Sequence, residues 1–445
     1  MRLEEYFLKN AKLHPEKTAV VVGDCSYSYA ALLDMVLERT MKLKEGHAGR
    51  FVVFRSSQTV EFIVDYLAIH LSGKIAVPLE KDTPENVFAA IANRFTGYNG
   101  GSAECAVPED VADVLFTTGT TGKQKGVMIS HQAIVADAEN LIDAQHFTAD
   151  LCFVISGPLN HIGSLSKLYP MIYLGGTIVI TEGMKDMNSL LNAMETASGK
   201  VATFLVPASI RILMQFAEEK LRSLAHKIDF IETGAAAITQ GDMERLCGLL
   251  PYSRLYNTYA STETGIIATY NFNDGECIAG CLGKPMRHSG IKISSDGHVS
   301  CVGKTLMTGY IGDARLTASV LFDDAVHTSD LGYIDDKGRL RLKGRDGDVI
   351  NVGGYKVAPT EVENVAMAFP MIADCVCIAS QHPVLGMVLK LLVVPVDEAD
   401  FDKKKIAMFL KDRLETYKVP MQYEKVEKVN RTYNGKIDRK SYVLS

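Results

Sequence analysis

The sequence lacks the long apolar segments that mark membrane proteins and secretory signals. Its longest apolar runs, at 169–180 and 388–396, are short or interrupted by glycine, whereas a membrane-spanning helix needs about 20 consecutive apolar residues. The first 20 residues are rich in charged side chains and contain no continuous apolar core, so we expect no secretory signal. These absences predict a protein of the cytoplasm without a membrane span.

An excess of positive charge and paired cysteine motifs are also missing. The chain has 47 Lys and Arg against 53 Asp and Glu, a formal net charge of −6 at pH 7. Binding along nucleic acid relies on clustered Lys and Arg, so we expect no nucleic-acid partner. The nine cysteines are scattered, and neither 277 and 281 nor 375 and 377 is joined by a second pair at zinc or redox spacing. Reduced, mostly buried thiols are the expectation.

What the sequence does contain is an alternation of helical and strand patterns. Its 445 residues, 47% of them hydrophobic, exceed what one core usually serves, so two or more domains are expected. Amphipathic helical patterns at 3–14, 30–43 and 60–71 alternate with short apolar strands, including 51–54 and 74–80. Such alternation predicts an α/β protein built in layers.

A stretch rich in glycine and hydroxyl residues, TTGTTGKQKG at 117–126, follows the apolar run VADVLF. Glycine permits close approach and left-handed dihedral angles, so backbone N–H groups and hydroxyls of such a loop can surround an anion. Ser130 is a candidate N-cap for the next helix, and we expect strand, phosphate loop and helix in that order. The spacing fits neither the Walker loop nor the dinucleotide-binding fingerprint. A flexible polar turn is the alternative.

The last hundred residues have the pattern of a small α+β unit. Thr360 and Glu363 have the spacing of a capping box, which predicts a helix start there. Strand patterns at 374–379 and 387–396 and an amphipathic helix through Ile406 to Leu414 follow. The Asp-Asp-Lys-Gly at 335–338, ahead of this unit, predicts a hairpin turn.

Residues 117–126 resemble the signature of the AMP-forming adenylating superfamily, which includes acyl- and aryl-CoA synthetases, adenylation domains of peptide synthetases and luciferase. The family has (Ser/Thr)-(Ser/Thr)-Gly-(Ser/Thr)-Thr-Gly-x-Pro-Lys-Gly, and Gln124 replaces its Pro. Three further segments are similar and occur in family order: YNTYASTETG at 256–265, the stretch around Asp330 and Arg345, and NRTYNGKIDRK at 430–440. The chain is identified as a member of this family, closest to acyl-CoA synthetases.

The resemblance implies a fold, a reaction and a set of site residues. The implied fold is a large domain (1–345) of layered α/β subdomains plus a β-rich subdomain, then a small mobile domain (346–445). The implied catalytic residues are Lys436, Thr262, Glu263 and His161, with Glu263 holding Mg²⁺. The implied nucleotide- and CoA-binding residues are Thr117, Thr118, Gly119, Thr120, Thr121, Gly122, Lys125, Ala235, Tyr259, Asp330, Arg345, Gly353 and Gly354.

The implied reaction is activation of a small carboxylic acid by ATP to an acyl-adenylate, followed by transfer to the thiol of CoA. Pro158, Leu159 and His161 match the CoA-forming members, in which this His lies beside the acyl pocket. Two alternatives are kept: an enzyme that loads a phosphopantetheine carrier protein, and a non-catalytic nucleotide-binding homologue. For single residues, His161 is otherwise a core histidine, and Arg345 with Asp346 a surface ion pair.

The family's small domain alternates between two poses about a hinge, here Asp346. One pose brings Lys436 to the active site, and the other brings Gly353 and Gly354, which help to form the thiol tunnel. Only about 25 residues separate the strand at 74–80 and its flank from the phosphate loop. Because the family has a further strand and helix there, the resemblance also implies a trimmed lobe.

Overall fold

A computed structural model describes residues 1–46, 49–97, 107–118, 124–184, 186–352, 355–382, 386–397, 401–432 and 435–442. The helices are α1 (Leu3–Leu13), α2 (Tyr29–Gly46), α3 (Val60–Leu71), α4 (Glu85–Gly97), α5 (His131–Gln145), α6 (Ile162–Leu165), α7 (Leu168–Leu174), α8 (Met187–Thr196), α9 (Pro207–Phe216), α10 (Glu218–Ser223), α11 (Gln240–Leu249), α12 (Ala314–Val320), α13 (Pro359–Ala366) and α14 (Lys403–Lys411). The strands are β1 (Thr18–Val22), β2 (Cys25–Ser28), β3 (Phe51–Arg55), β4 (Ile75–Leu79), β5 (Val111–Thr118), β6 (Gln124–Ser130), β7 (Cys152–Ile155), β8 (Thr177–Ile180), β9 (Val201–Phe204), β10 (Ile228–Thr233), β11 (Arg254–Ser261), β12 (Gly265–Asn271), β13 (Cys281–Pro285), β14 (Ser289–Ile293), β15 (His298–Gly303), β16 (Gly309–Tyr310), β17 (Leu321–Phe322), β18 (Ala325–Ile334), β19 (Leu340–Arg345), β20 (Ile350–Val352), β21 (Tyr355–Val357), β22 (Ile372–His382), β23 (Gly386–Pro395) and β24 (Gln422–Lys425).

The larger sheet runs through most of the N-terminal part. Within the described residues it has 14 strands, in the order β14-β15-β18-β19-β13-β12-β11-β10-β9-β7-β8-β1-β2, with β17 beside β18. The strands from β11 through β8 to β1 pair in parallel, and those from β12 to β14 pair antiparallel. The parallel strands are short continuous apolar runs such as CFVI and TIVI, as expected for strands covered on both faces.

A second sheet carries the signature loop. Its strand order is β16-β6-β5-β4-β3, with β3, β4 and β5 parallel. β4 pairs directly with β5, and α4 is the helix described in the short segment between them. The main hydrophobic core lies between the two sheets and includes α1, α3, α5 and α7.

The expectation that the signature loop joins a strand to a helix was wrong. The loop at 119–123, outside the described residues, connects β5 to β6, which pair antiparallel from Val111↔Ser130 to Thr118↔Gln124. The strand β6 forms because it is enclosed between β5 and β16. Gly126 sits at a tight point of this packing, since a Cβ there would lie 2.7 Å from Ile311 Cγ2. The helix α5 starts one strand later, and the Ser130 cap is confirmed: its Oγ accepts from Ala133 N–H at 3.0 Å.

The C-terminal part has its own three-stranded sheet, β22-β23-β24, and a separate core that includes Val362, Leu391 and Leu410. This arrangement confirms a small α+β domain after a large α/β domain. The predicted capping box was wrong. The N-cap of α13 is Ala358, without a side-chain cap, and Pro359 occupies the first turn. Glu363 instead turns inward, where Arg439 and the backbone N–H of Cys377 bind it.

Three further expectations concern membrane-spanning helices, cysteines and a hairpin turn. Among the described helices, none is both long and apolar enough to cross a membrane. The eight cysteines in the described part of the chain are free thiols, and five of them are buried. The predicted hairpin turn at 335–338 is confirmed between β18 and β19.

Candidate active site

Asp330 is the centre of a buried hydrogen-bonded group on the larger sheet. It lies on β18 directly opposite Arg345 of β19, whose Nε donates to its Oδ1 at 2.6 Å. Tyr259, on β11, donates its hydroxyl to Asp330 Oδ2 at 2.7 Å. Burial, with the charge of Asp330, holds the pKa of Tyr259 far above its usual value, so the phenol stays a neutral donor. Each carboxylate oxygen keeps a lone pair for a further donor.

Glu263 lies in the turn between β11 and β12. Ser261 and Thr264 brace this turn through their hydroxyls, and Gly265 closes it at a φ of 67°. A Cβ at Gly265 would lie 2.7 Å from the carbonyl oxygen of Thr305, so the turn requires glycine on both counts. Thr262 and Glu263 are half-buried at its tip.

Tyr310 joins the Glu263 turn to the signature loop. Its hydroxyl donates to Glu263 Oε1 at 3.0 Å, and burial raises its pKa, as does the charge of Glu263. Lys125, beside the loop on β6, places its Nζ 5.4 Å from the centroid of the Tyr310 ring. Tyr310 itself pairs with Val127 across β16 and β6. Sequence reasoning missed this tyrosine, because nothing in its local sequence links residues 125, 263 and 310.

His161 stands at the N-cap position of the short helix α6 and is half-buried. Its Nε2 lies 2.5 Å from Oε1 of Glu80, which follows β4. Burial raises the pKa of Glu80, but hydrogen bonds from His161 and Asn160 outweigh it and hold that pKa below its usual value. His161 is therefore not an isolated core histidine. Glu80 was missed, although an acidic residue directly after an apolar parallel strand was a usable signal.

A third region lies where β9 and β10 end. Ala235, after β10, has a left-handed φ of 65°, which is uncommon for a non-glycine residue. A Cβ on Gly234 would lie 3.0 Å from the Thr258 carbonyl oxygen, and one on Gly163 would lie 3.0 Å from the Phe204 ring. Since a Cβ on Gly234 would also lie 3.6 Å from the Phe204 ring, this ring is flanked by two glycines. Sequence reasoning missed Phe204.

Beneath this region is a buried ion pair that the sequence did not indicate. Lys167 Nζ lies 2.8 Å from Glu232 Oε1, and both side chains are 1% exposed. The same Nζ lies 5.4 Å from the centroid of the Phe204 ring. Removing one partner of such a pair leaves an uncompensated buried charge, so the two residues are required together.

Lys436 comes from the C-terminal domain and faces the large domain. It is exposed to solvent but stands in the cleft between the domains, where surrounding protein lowers the pKa of its amine. The positive charge of Arg345 also lowers this pKa, whereas the negative charges of Asp330 and Glu263 raise it. Lys436 is therefore within electrostatic range of Asp330 and Glu263. Next to it, a Cβ on Gly435 would lie 3.4 Å from Val206 of the large domain.

Two arginines anchor the segment that carries Lys436. Arg439 binds Glu363 through both terminal nitrogens, at 2.7 and 2.8 Å. Arg431 binds both oxygens of Asp374, at 2.9 and 2.7 Å. The Arg439–Glu363 pair is bidentate, which fixes geometry as well as adding energy, whereas Arg431 shares one terminal nitrogen between the two oxygens of Asp374.

Part of the predicted site lies outside the described residues. This applies to Gly119, Thr120, Thr121, Gly122, Gly353 and Gly354. Thr117 is described and pairs with Lys125, and the backbone of Thr118 pairs with Gln124 at the last position of the β5–β6 ladder. The structure thus brings together Tyr259, Asp330, Arg345, Glu263 and Lys436, with Lys125 reaching the same group through Tyr310.

Comparison with known families decides what this grouping belongs to. Residues 95–311 match the sequence model of the AMP-binding enzymes, and residues 361–436 match that of the AMP-binding enzyme C-terminal domain. The chain belongs to the AMP-binding enzyme family. The adenylating superfamily indicated by the four motifs is therefore confirmed.

Relatives in this family align along nearly the whole chain. Indoleacetate–CoA ligase from Aromatoleum aromaticum is 27% identical, over 98% of this chain and 96% of its own length. Feruloyl-CoA synthase from Amycolatopsis is 26% identical, over 97% and 96%.

Solved structures of AMP-binding enzymes have the same fold. ATP-bound MatB from Rhodopseudomonas palustris superposes with a TM-score of 0.86 at 22% identity, over 99% of both chains. O-succinylbenzoate CoA synthetase from Bacillus subtilis, in complex with AMP, gives a TM-score of 0.83 at 20% identity, over 99% of this chain and 98% of that one. The likeness covers both domains.

Proposed function

We propose that the protein is an AMP-forming acid–thiol ligase that uses ATP and CoA. A carboxylate oxygen of the acid attacks the α-phosphorus of ATP, and the bond to the pyrophosphate oxygen breaks. The CoA sulfur then attacks the acyl carbon, the bond to the AMP oxygen breaks, and the thiol proton passes to solvent or a nearby base. The observation that carries the proposal is that Lys436 of the small domain stands with Asp330, Arg345 and Glu263 of the large one.

In this proposal Asp330 and Arg345 bind the ribose of ATP. The carboxylate already accepts one hydrogen bond on each oxygen, from Tyr259 and Arg345. Two neighbouring hydroxyls can donate to the remaining lone pairs, one to each oxygen. Because both protein donors are in place beforehand, the carboxylate needs little reorganisation when the nucleotide binds.

Glu263 suits Mg²⁺, which prefers carboxylate and phosphate oxygens. Tyr310 holds Glu263 Oε1, and this bond orients the carboxylate toward the side of the signature loop. Mg²⁺ bound there would screen phosphate charge. Thr262 and the loop hydroxyls of Thr118 and Thr121 then serve as hydrogen-bond donors to the phosphate oxygens. Lys125 supplies positive charge beside the loop.

Lys436 is the residue that we assign to the α-phosphate. The reaction accumulates negative charge on the oxygens around phosphorus, and a positioned ammonium stabilises that charge in the transition state. The lowered pKa of Lys436 reflects the surrounding protein and Arg345.

We propose that the acid binds between His161 and Ala235, against the Phe204 ring. The left-handed backbone at Ala235 and the adjoining glycines allow close approach of a flat group. His161 is held by Glu80 at 2.5 Å, so its ring is oriented at the edge of this space. An aromatic wall of this kind favours an apolar or aryl acid.

For the second half-reaction we propose that the small domain, beginning at Asp346, rotates about that residue. The strand β19 ends at Arg345 and a single helical turn, Asp346–Asp348, leads to the separate C-terminal core. Gly353 and Gly354 would then face the site and line the path of the CoA thiol. A change at a few hinge residues is enough for such a motion.

The decisive experiment is ATP–pyrophosphate exchange over a panel of aliphatic, aryl and hydroxy acids, which includes indoleacetate and ferulate because relatives are named for them. The acid that supports exchange is then tested with CoA and with a holo carrier protein. Thioester formation with CoA is the expected result. If exchange occurs but only the carrier protein is loaded, the carrier and not CoA is the thiol substrate. Absence of exchange with every acid would overturn the ligase assignment.

A further inference from the structure

A second cluster of chemically active side chains lies inside the large domain, formed by residues outside the candidate active site. Glu4 of α1, His70 of α3 and His131 of α5 converge there, at 4%, 2% and 5% exposure. One potential metal-ligand atom of each residue lies within 4.8 Å of those of the other two. The distance between Glu4 Oε2 and His131 Nδ1 is 3.8 Å.

The cluster has a second property. Glu4 Oε2 and the Nδ1 atoms of His70 and His131 are buried, and none of the three has a hydrogen-bond partner among the described residues. Buried polar atoms are nearly always paired, because an unpaired one forfeits its interaction with water. Three unpaired atoms that face one point therefore indicate that a ligand binds between them.

The surroundings of His70 determine which face of its ring is available. Its Nε2 lies 2.9 Å from Asp113 Oδ1, and Asp113 also accepts a hydrogen bond from the Tyr66 hydroxyl at 2.8 Å. With the ring proton on Nε2 and donated to the carboxylate, Nδ1 presents a lone pair to Glu4 and His131. A carboxylate behind an imidazole is the arrangement that orients metal-binding histidines.

We propose that Glu4, His70 and His131 form a Zn²⁺ site. Two imidazole nitrogens and one carboxylate oxygen suit zinc, whereas Mg²⁺ and Ca²⁺ prefer oxygen ligands alone. Zinc bonds of about 2.0–2.2 Å place tetrahedral ligand atoms about 3.4 Å apart. The observed 3.8 Å between Glu4 and His131 requires a movement of a few tenths of an ångström.

The cluster also has a route to solvent. His131 lines a surface cavity of about 620 Å³, together with Arg2, Glu139, His288 and Lys304. Zinc can enter by this cavity, and a water molecule from it can take the fourth coordination position. The ion would connect α1, α3 and α5, and through Asp113 it would brace β5, the strand that leads into the signature loop. Its role is to stabilise this packing rather than to take part in acyl transfer.

The first test measures metal in the intact protein. The protein is stripped with a chelator, equilibrated with Zn²⁺ and analysed for zinc, and about one ion per chain is expected. Co²⁺ serves as a spectroscopic probe in a parallel sample. Visible ligand-field bands without a near-ultraviolet thiolate band are expected from a nitrogen and oxygen ligand set. A thiolate band would assign the metal to the cysteines and overturn the proposal.

The second test compares variants. Glu4→Gln and His131→Asn should lower zinc content at least tenfold, and they should abolish the rise in Tm that Zn²⁺ gives the wild-type protein, about 2 °C or more. His288→Gln is the matched control: it lines the same cavity, but its Nε2 lies 2.5 Å from Glu139 Oε2, outside the cluster. It should bind zinc normally.

Three results would reject the site. The first is a zinc content below about a tenth of an ion per wild-type chain, in which case an ordered water fills the cluster. The second is an equal loss of zinc in His288→Gln. The third is a Zn²⁺-dependent rise in Tm that survives in Glu4→Gln. If the cluster variants fail to fold, the stoichiometry and Co²⁺ spectrum of the wild-type protein still decide the question.

Discussion

Arg345 and Asp330 face each other at a directly paired position of two neighbouring strands, with Arg345 Nε 2.6 Å from the Asp330 carboxylate. Tyr259 binds the other oxygen of the same carboxylate. The group is thus held from two sides by the sheet itself. The position of the Asp330 carboxylate therefore depends on strand register, and both of its oxygens are held by protein donors without any nucleotide.

The first prediction concerns this carboxylate. Asp330→Asn should raise the KM for ATP and lower kcat/KM for ATP by about 10- to 100-fold, since hydrogen bonds to a charged group contribute about 1.5–3 kcal/mol. The measurement is pyrophosphate exchange at varied ATP. Tyr333→Phe, on an exposed position of the same strand, is the control and should behave as wild type. An unchanged KM for ATP in Asp330→Asn would remove the residue from the nucleotide site.

The second prediction concerns the signature loop. Thr118→Val combined with Thr121→Val should nearly abolish adenylation, because two hydroxyl donors to phosphate are lost. Gln124→Pro should keep activity, since residue 124 occupies the last pair of the hairpin and its N–H contributes at most one ladder bond. Both variants are compared by ATP affinity and exchange rate. Full adenylation in the double variant would show that the loop does not bind phosphate.

The third prediction concerns Glu263. Glu263→Gln keeps the shape of the side chain but removes the charge that Mg²⁺ requires, so activity at low Mg²⁺ should fall at least tenfold and recover partly at high Mg²⁺. Tyr310→Phe, which removes the hydrogen bond and leaves the carboxylate, should have a smaller effect of the same kind. Wild-type kinetics of Glu263→Gln at low Mg²⁺ would contradict the metal assignment.

The fourth prediction separates the two half-reactions. Lys436→Ala should abolish acyl-adenylate formation from ATP and leave thioester formation from supplied acyl-adenylate largely intact, because only the first step involves attack at the α-phosphorus, where Lys436 is proposed to act. Single-turnover assays of each half measure this. Lys428→Ala, an exposed lysine of the same domain, is the control. Equal losses in both halves would make Lys436 a structural residue.

A companion variant tests the hinge. Asp346 begins a single helical turn, where Pro is tolerated, so Asp346→Pro restricts φ without breaking a helix. It should retain adenylation and impair thioester formation, the reverse of Lys436→Ala. If Asp346→Pro leaves both half-reactions unchanged, rotation about this residue is not required.

The fifth prediction is a dependence of stability on pH. Asp137 accepts a hydrogen bond from Ile266 N–H at 2.8 Å. Burial raises the pKa of Asp137 to about 8, although this hydrogen bond and the positive charge of Lys167 both act to lower it. The unfolded carboxyl ionises near about pH 4. Between these values the folded state holds a proton that the unfolded state lacks. This contribution to the free energy of unfolding is therefore present below about pH 4 and is lost as pH rises, by up to about 1.4 kcal/mol per unit.

Asp137→Asn should remove that dependence, since its amide does not ionise and its oxygen can still accept from Ile266. Denaturant unfolding across the pH range should show that the free energy of unfolding of the variant rises relative to that of the wild-type protein as pH increases to about 8. Asp143→Asn, exposed on the same helix, is the control. Parallel stability curves for Asp137→Asn and the wild type would mean that Asp137 is ionised in the folded protein.

How much the sequence predicted depended on whether the signal was local. The Ser130 cap, the hairpin turn at 335–338 and the order of domains are encoded in short segments, and they were predicted correctly. The β5–β6 hairpin was missed because β6 exists only by pairing with β5 and β16. The capping box at Glu363 failed for the same reason: Arg439, far along the chain, competes for the carboxylate.

The candidate site followed the same rule. Tyr310 carries no local pattern, and its contact with Glu263 exists only when the chain has folded. Glu80 follows an apolar strand, but its partner His161 is identified only by the packing of α6. The Lys167–Glu232 pair joins residues 65 positions apart. A single sequence cannot supply such pairings, since many lysines and glutamates are equivalent until the chain has folded.

The two arginine–carboxylate pairs on either side of Lys436 tie its position to the rest of the C-terminal domain. Arg431 binds β22 and Arg439 binds α13, so in the proposed mechanism Lys436 moves away from the phosphate only when the whole small domain rotates. On that proposal, the interval between the two chemical steps would be limited by solvent friction on the rotating domain rather than by side-chain rotation. Thickening the solvent with sucrose would slow turnover without slowing the first chemical step.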